Sequence, residues 1–102
     1  MSQNPVSARE RIYKLLRLEL GKDIGYDDFR IEYEDLYNFG LDRESVTEVE
    51  FKVFERLFDR IVWYSPLPEE REKIPSYIGE GEMDAAVAEA RRDLGLRPGK
   101  LQ

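Results

Sequence analysis

The sequence predicts an all-α fold, a single-domain antiparallel four-helix bundle over about residues 7–94, with 95–102 as a tail. Three observations lead there. Apolar residues recur at helical spacing in four segments. Capping residues, glycines or prolines bound each segment. No stretch of useful length alternates with the period of a strand.

The first helix is expected over about 7–20. Ser7 followed three places later by Glu10 is a capping-box pattern. Ala8, Ile12, Leu15, Leu16 and Leu20 then form one stripe, with Arg11, Lys14 and Arg17 facing outward, and Gly21 is the stop. The second helix is expected over 26–39. Its apolar positions are Tyr26, Phe29, Tyr33, Leu36 and Tyr37, and Gly40 ends it. Its opposite face carries Asp27, Asp28, Glu32 and Asp35, with Glu34 at the edge. Aspartates near the start also suit the positive end of the helix dipole.

The third helix opens at one of two capping boxes, Ser45 with Glu48 or Thr47 with Glu50. Val46, Phe51, Val53, Phe54, Leu57, Phe58, Ile61, Val62 and Tyr64 cover more than half its circumference, the mark of the most buried helix. Ser65-Pro66-Leu67-Pro68 cannot continue it. Residues 69–79 read as an irregular charged segment anchored by Tyr77 and Ile78. The fourth helix is expected over about 81–94, with a narrow stripe of Met83, Ala86, Val87, Ala90 and Leu94 before Gly95.

Composition narrows function. Hydrophobic residues are 41% of the chain, enough for one modest core, while a 37% charged fraction demands a solvated helix surface. With no cysteine, packing alone must stabilise the fold. With no histidine either, the commonest general base, the thiol nucleophile and most transition-metal ligands are missing. The expectation is therefore a protein that is not an enzyme and carries no cofactor or metal. No Gly-rich phosphate loop or calcium loop is present: Gly79-Glu80-Gly81 is too short, and the acids of 23–28 lack the alternating ligand pattern. Residues 1–5 lack the apolar stretch of a signal peptide, and no apolar run could span a membrane, so a cytoplasmic protein is expected.

The net charge is −6, which disfavours nucleic acid and anionic membranes and fits a basic protein partner. The charge is uneven: residues 1–22 carry +3 and the remainder −9. Two surface features stand out. On the second helix, Ile31 sits among carboxylates. It is either a stray residue on a solvated face or the anchor of a binding patch steered by Asp27, Asp28, Glu32 and Asp35. At the end of the third helix, Trp63 points away from the core beside Asp59, and Glu69 and Glu70 follow. Trp63 is either covered by the 66–78 segment or exposed as an interface aromatic.

Asp28-Phe29, Leu36-Tyr37, the run Phe54 to Phe58, and Tyr64-Ser65-Pro66-x-Pro68-Glu69-Glu70-Arg71 together resemble the colicin D immunity family of bacterial self-protective, colicin-like immunity proteins. The resemblance covers about 25–94. It departs from the family at Val62 and Leu67, where acidic residues are common. It implies a helical bundle that binds the basic nuclease domain of a secreted bacterial toxin and covers its active site with acidic side chains. The implied toxin-binding residues are Asp27, Asp28, Ile31, Glu32, Asp35, Asp59, Trp63, Glu69 and Glu70, on a chain that is monomeric when free. A helical adaptor or regulatory subunit is the alternative. A small enzyme using paired carboxylates is the third reading.

Overall fold

A computed structural model describes residues 7–96; the expected tail beyond residue 96 and the 1–5 start lie outside the described residues. The fold is all-α, with α1 (Ala8–Arg17), α2 (Tyr26–Asp35), α3 (Glu48–Ile61), α4 (Pro68–Lys73) and α5 (Glu80–Asp93). The described residues contain no strand beyond two isolated bridges, Leu20 with Ile24 and Tyr64 with Ile78. Four helices were expected; α4 is a fifth, inside the segment read as irregular. It has proline in its first turn, Glu69 and Glu70 at its positive end, and Arg71 and Lys73 at its negative end. It buries none of its own residues.

The helices form where the stripes lie. Ile12, Leu15 and Leu16 of α1 meet Phe29, Tyr33 and Leu36, then Val53, Phe54, Leu57 and Ile61 of α3, then Met83, Val87 and Ala90 of α5, in one continuous core. Phe51, Phe58 and Val62 of the wide third stripe are only half-buried. Tyr37 covers the two aromatics: its ring stacks on Phe58 at 4.4 Å and on Phe51 at 6.1 Å between centres. Tyr26 stacks near Tyr64, Tyr33 bonds to Phe54, and Tyr37 meets Phe58 and Phe51, so α2 and α3 run against one another.

Each helix end has an identifiable cause. Ser7 accepts the Glu10 N–H at 3.2 Å to open α1. The helix stops at Arg17, earlier than its stripe suggests, because Leu18 turns extended. Arg91 of α5 donates to the Leu16 and Leu18 carbonyls left over. Gly21, at φ +85°, then reverses the chain in a conformation that side chains resist. At the end of α2 the chain widens into a π-helical turn, Leu36–Gly40, with the Leu41 N–H reaching the Leu36 carbonyl at 2.8 Å. Gly40 lies against α1 so closely that a Cβ there would stand 3.2 Å from that of Ala8. Thr47, not Ser45, caps α3 through the reciprocal bonds with Glu50. Ile61 ends α3 before Tyr64, because Ile78 captures the backbone of the following residues. Its N–H donates to Trp63 O at 3.0 Å, and its carbonyl accepts from Ser65 N–H at 3.1 Å.

Tyr33 carries a buried hydroxyl that donates to the Phe54 carbonyl at 2.9 Å, tying α2 to α3 across the core. Tyr33→Phe keeps the ring and removes that bond. It should cost about 1 kcal/mol, the usual net value of one intramolecular hydrogen bond. Urea unfolding followed by circular dichroism would read this as a lower midpoint with an unchanged slope; an unchanged midpoint would mean the bond contributes nothing.

Candidate protein-binding surface

The nine residues singled out from the sequence fall into two groups, and their surroundings sort them further. On α2, Asp27 and Glu34 are not free. They clamp Arg30 between them, at 2.8 and 3.2 Å. Burial opposes the Arg30 charge, but the two carboxylates outweigh it and raise its pKa. Asp27 therefore belongs to an internal ion-pair triad on the flank of the helix, not to its open face.

Asp28, Glu32 and Asp35 differ. All three are exposed and none forms an ion pair among the described residues. At spacing i, i+4, i+7 they occupy one stripe of α2. Ile31 lies beside them with 51% of its surface exposed. The stripe has a basic neighbour: Arg11 and Lys14 of α1 line an open groove with Leu15, Leu18, Glu32 and Leu36. Glu32 is the member of the stripe that lines this groove, so Arg11 and Lys14 offset part of its charge.

The second group sits where the chain leaves α3. Trp63 is 45% exposed, and Tyr77 leans against it with ring centres 5.9 Å apart. The 66–78 segment thus folds back as one reading expected, with Ile78 entering the core, yet it leaves nearly half of Trp63 open. Leu67 and Ile74, at the two ends of α4, are exposed on the same corner. Asp59 and Glu69 are exposed. Burial and then the charges of Glu55 and Asp59 raise the pKa of Tyr37, which puts Asp59 on the Tyr37 side of α3. Glu70 braces the corner. Its carboxylate accepts from the Ser65 hydroxyl at 2.7 Å, the same hydroxyl accepts the Leu67 N–H, and Arg71 donates to the Ser65 carbonyl at 2.6 Å.

The start of α2 lies against the end of α3. There Tyr26 stacks 6.2 Å from Tyr64, and burial, then the charges of Glu80 and Asp27, raise the Tyr64 pKa. The Asp28–Asp35 stripe belongs to α2, whereas the Trp63 corner is built from the exit of α3 and from α4.

Four exposed apolar residues were not singled out from the sequence, Phe39, Val49, Leu67 and Ile74, and the first stands out. Phe39, on the π-helical turn, is 85% exposed, the most exposed large apolar side chain described. Its signal in the sequence is modest: an aromatic off the apolar stripe of its helix, next to the glycine that ends it. Among the described residues no group of three or more acidic, cysteine or histidine side chains is placed to hold a metal ion. No described helix is long and apolar enough to cross a membrane. What the exposed carboxylates can do is attract and orient positive charge. Comparison of the chain with protein-family models, with curated proteins and with solved structures finds no match in any of the three.

Proposed function

We propose that this chain is an immunity protein, which binds the basic nuclease domain of a bacteriocin-type or contact-dependent toxin and covers its active site. The observation that carries the reading is the stripe Asp28, Glu32 and Asp35: three exposed carboxylates on one helix, none in an ion pair among the described residues. Exposed acids of this kind cost little to hold in water and speed encounter with a basic surface. The net charge of −6, the absence of His and Cys, and the family resemblance over about 25–94 support the same reading. In this proposal the four longer helices act as an antiparallel bundle that holds the stripe rigid. The protein works in the cytoplasm, as a monomer until it meets its target, without cofactor and without touching nucleic acid or membrane itself.

Co-expression is the test. A basic nuclease domain encoded beside this chain should stop growth alone and permit growth when this chain is present. Growth as poor as with the toxin alone sinks the proposal. A second reading, a helical adaptor in a larger complex, draws on the exposed apolar corner of Trp63, Leu67 and Ile74. A stable homodimer at low micromolar concentration with no effect on any toxin would favour it.

A further inference from the structure

The π-helical turn after α2 changes which side chains share the outer face. Ile31 and Phe39 are eight residues apart. In an unbroken α-helix they would stand roughly 80° apart around the axis, at about 100° per residue. Between Leu36 and Gly40 the chain uses an extra residue per turn, so that the Leu41 N–H bonds five residues back. The extra residue takes back most of the offset and brings Phe39 into line with Ile31, about 12 Å further along the helix. The exposures agree: Ile31 and Phe39 both point to solvent, while Leu36 between them is buried. The close approach of Gly40 to Ala8 holds the turn against α1.

We infer that Ile31 and Phe39 form one apolar ridge, flanked by Asp28, Glu32 and Asp35, that docks a basic amphipathic helix of a partner protein. The apolar stripe of that helix would cover Ile31 and Phe39, and its Lys or Arg side chains would meet the three carboxylates. The pairing follows from charge: the carboxylates beside the ridge lack partners among the described residues, and only a cationic rim would leave them satisfied once water is displaced. Anchors about two helical turns apart match the i, i+7 spacing at which a docking helix presents its own anchors. Leaving an aromatic almost wholly in water gains the free protein nothing, whereas covering it yields the large apolar area typical of binding hot spots. The inference rests on the proposed function only in taking the partner to be basic; it adds Phe39 and sets Trp63 outside the contact.

The test uses the whole chain, labelled for amide NMR, and two defined probes: a helical peptide with a leucine face and a lysine rim, and oligolysine of the same charge. The amphipathic peptide should shift amides clustered in 28–39. Phe39→Ala should weaken it at least tenfold, Ile31→Ala by a smaller factor, and Trp63→Ala hardly at all. Both anchors are exposed, so an unchanged urea midpoint would certify the fold of each variant. Oligolysine should bind weakly and ignore Phe39→Ala. Shifts centred on 63–77 or on α1, equal affinity for wild type and Phe39→Ala, or oligolysine binding as tightly as the amphipathic peptide would each overturn the ridge. Since no toxin enters this titration, failure of the co-expression test leaves its outcome standing, and the reverse holds too.

Discussion

Glu50→Ala should destabilise the fold by about 2–3 kcal/mol at neutral pH, lowering Tm by more than 8 °C if each kcal/mol shifts a domain this size by roughly 4–8 °C. One buried carboxylate does three things. It completes the cap of α3 by accepting the Thr47 N–H at 2.9 Å. It accepts the Tyr13 hydroxyl at 2.7 Å. It receives Arg9 through two nitrogens, at 2.5 and 3.1 Å. Loss of the bond from the Thr47 N–H alone costs about 1 kcal/mol, and Tyr13 and Arg9 are left with no acceptor. The Arg9 hydrogen bond is the main reason the Glu50 carboxyl is held down to about 2, with the Thr47 and Tyr13 bonds adding to it against the cost of burial. Burial, and then the bond to Glu50, pushes the Tyr13 phenol up to about 12.

That depression fixes the pH window. A carboxyl ordinarily near 4.5 that titrates near 2 in the fold contributes stability present above pH 4.5 and lost as pH falls toward 2. At about 1.4 kcal/mol per unit the upper limit is roughly 3.4 kcal/mol; because Arg9 is partly open to water, about 2 kcal/mol is the more physical size. Other carboxylates titrate in the same range, so the informative quantity is the difference between wild type and Glu50→Gln. That gap in urea midpoint should be widest at pH 6–7 and close as pH approaches 2. A gap independent of pH would show that the Glu50 charge does not stabilise the fold.

The Glu50 network also shows where sequence reading stops. Its capping half is local, Thr47 with Glu50, and was legible as one of two candidate boxes. Its partner Arg9 is 41 residues away, and no spacing rule connects them. The four long helices were legible because their stripes, such as Ile12–Leu15–Leu16 and Met83–Val87–Ala90, are the residues that become buried. Two helix ends were not, because distant groups decide them. Arg91 receives the last carbonyls of α1, and Ile78 takes the backbone that would have extended α3. The short α4 is different: Pro68, Glu69, Glu70, Arg71 and Lys73 spell its dipole, but the two prolines before it read as a break and nothing more. On the candidate surface, Asp28, Glu32, Asp35 and Ile31 were legible from helical spacing. The loss of Asp27 to Arg30 follows from the same spacing, three residues apart. Phe39 needs the π-helical turn, which depends on Gly40 against Ala8, a contact between two helices.

Reversing the stripe, with Asp28, Glu32 and Asp35 all replaced by lysine, should slow association with a basic partner domain by about 100-fold at low ionic strength, since steering of this kind changes on-rates by 10–10³. The fold should survive. The three side chains are exposed and unpaired among the described residues, and the main cost is about 0.5 kcal/mol for losing the favourable Asp28 charge in the first turn of α2. Salt is the sharper probe. Wild-type on-rates should fall steeply as ionic strength rises and the Debye length shrinks to about 8 Å at physiological salt, whereas the reversed variant should be flat or should rise. A matching reversal at Asp59 and Glu69 tests the other surface. Glu69 lies at the Trp63 corner and Asp59 on the Tyr37 side of α3, neither on the stripe, so the effect should be well under tenfold if the stripe makes the contact. Were the corner reversal to abolish steering while the α2 reversal left it intact, the partner would dock on Trp63, Leu67 and Ile74, and the acids of α2 would be solvated surface.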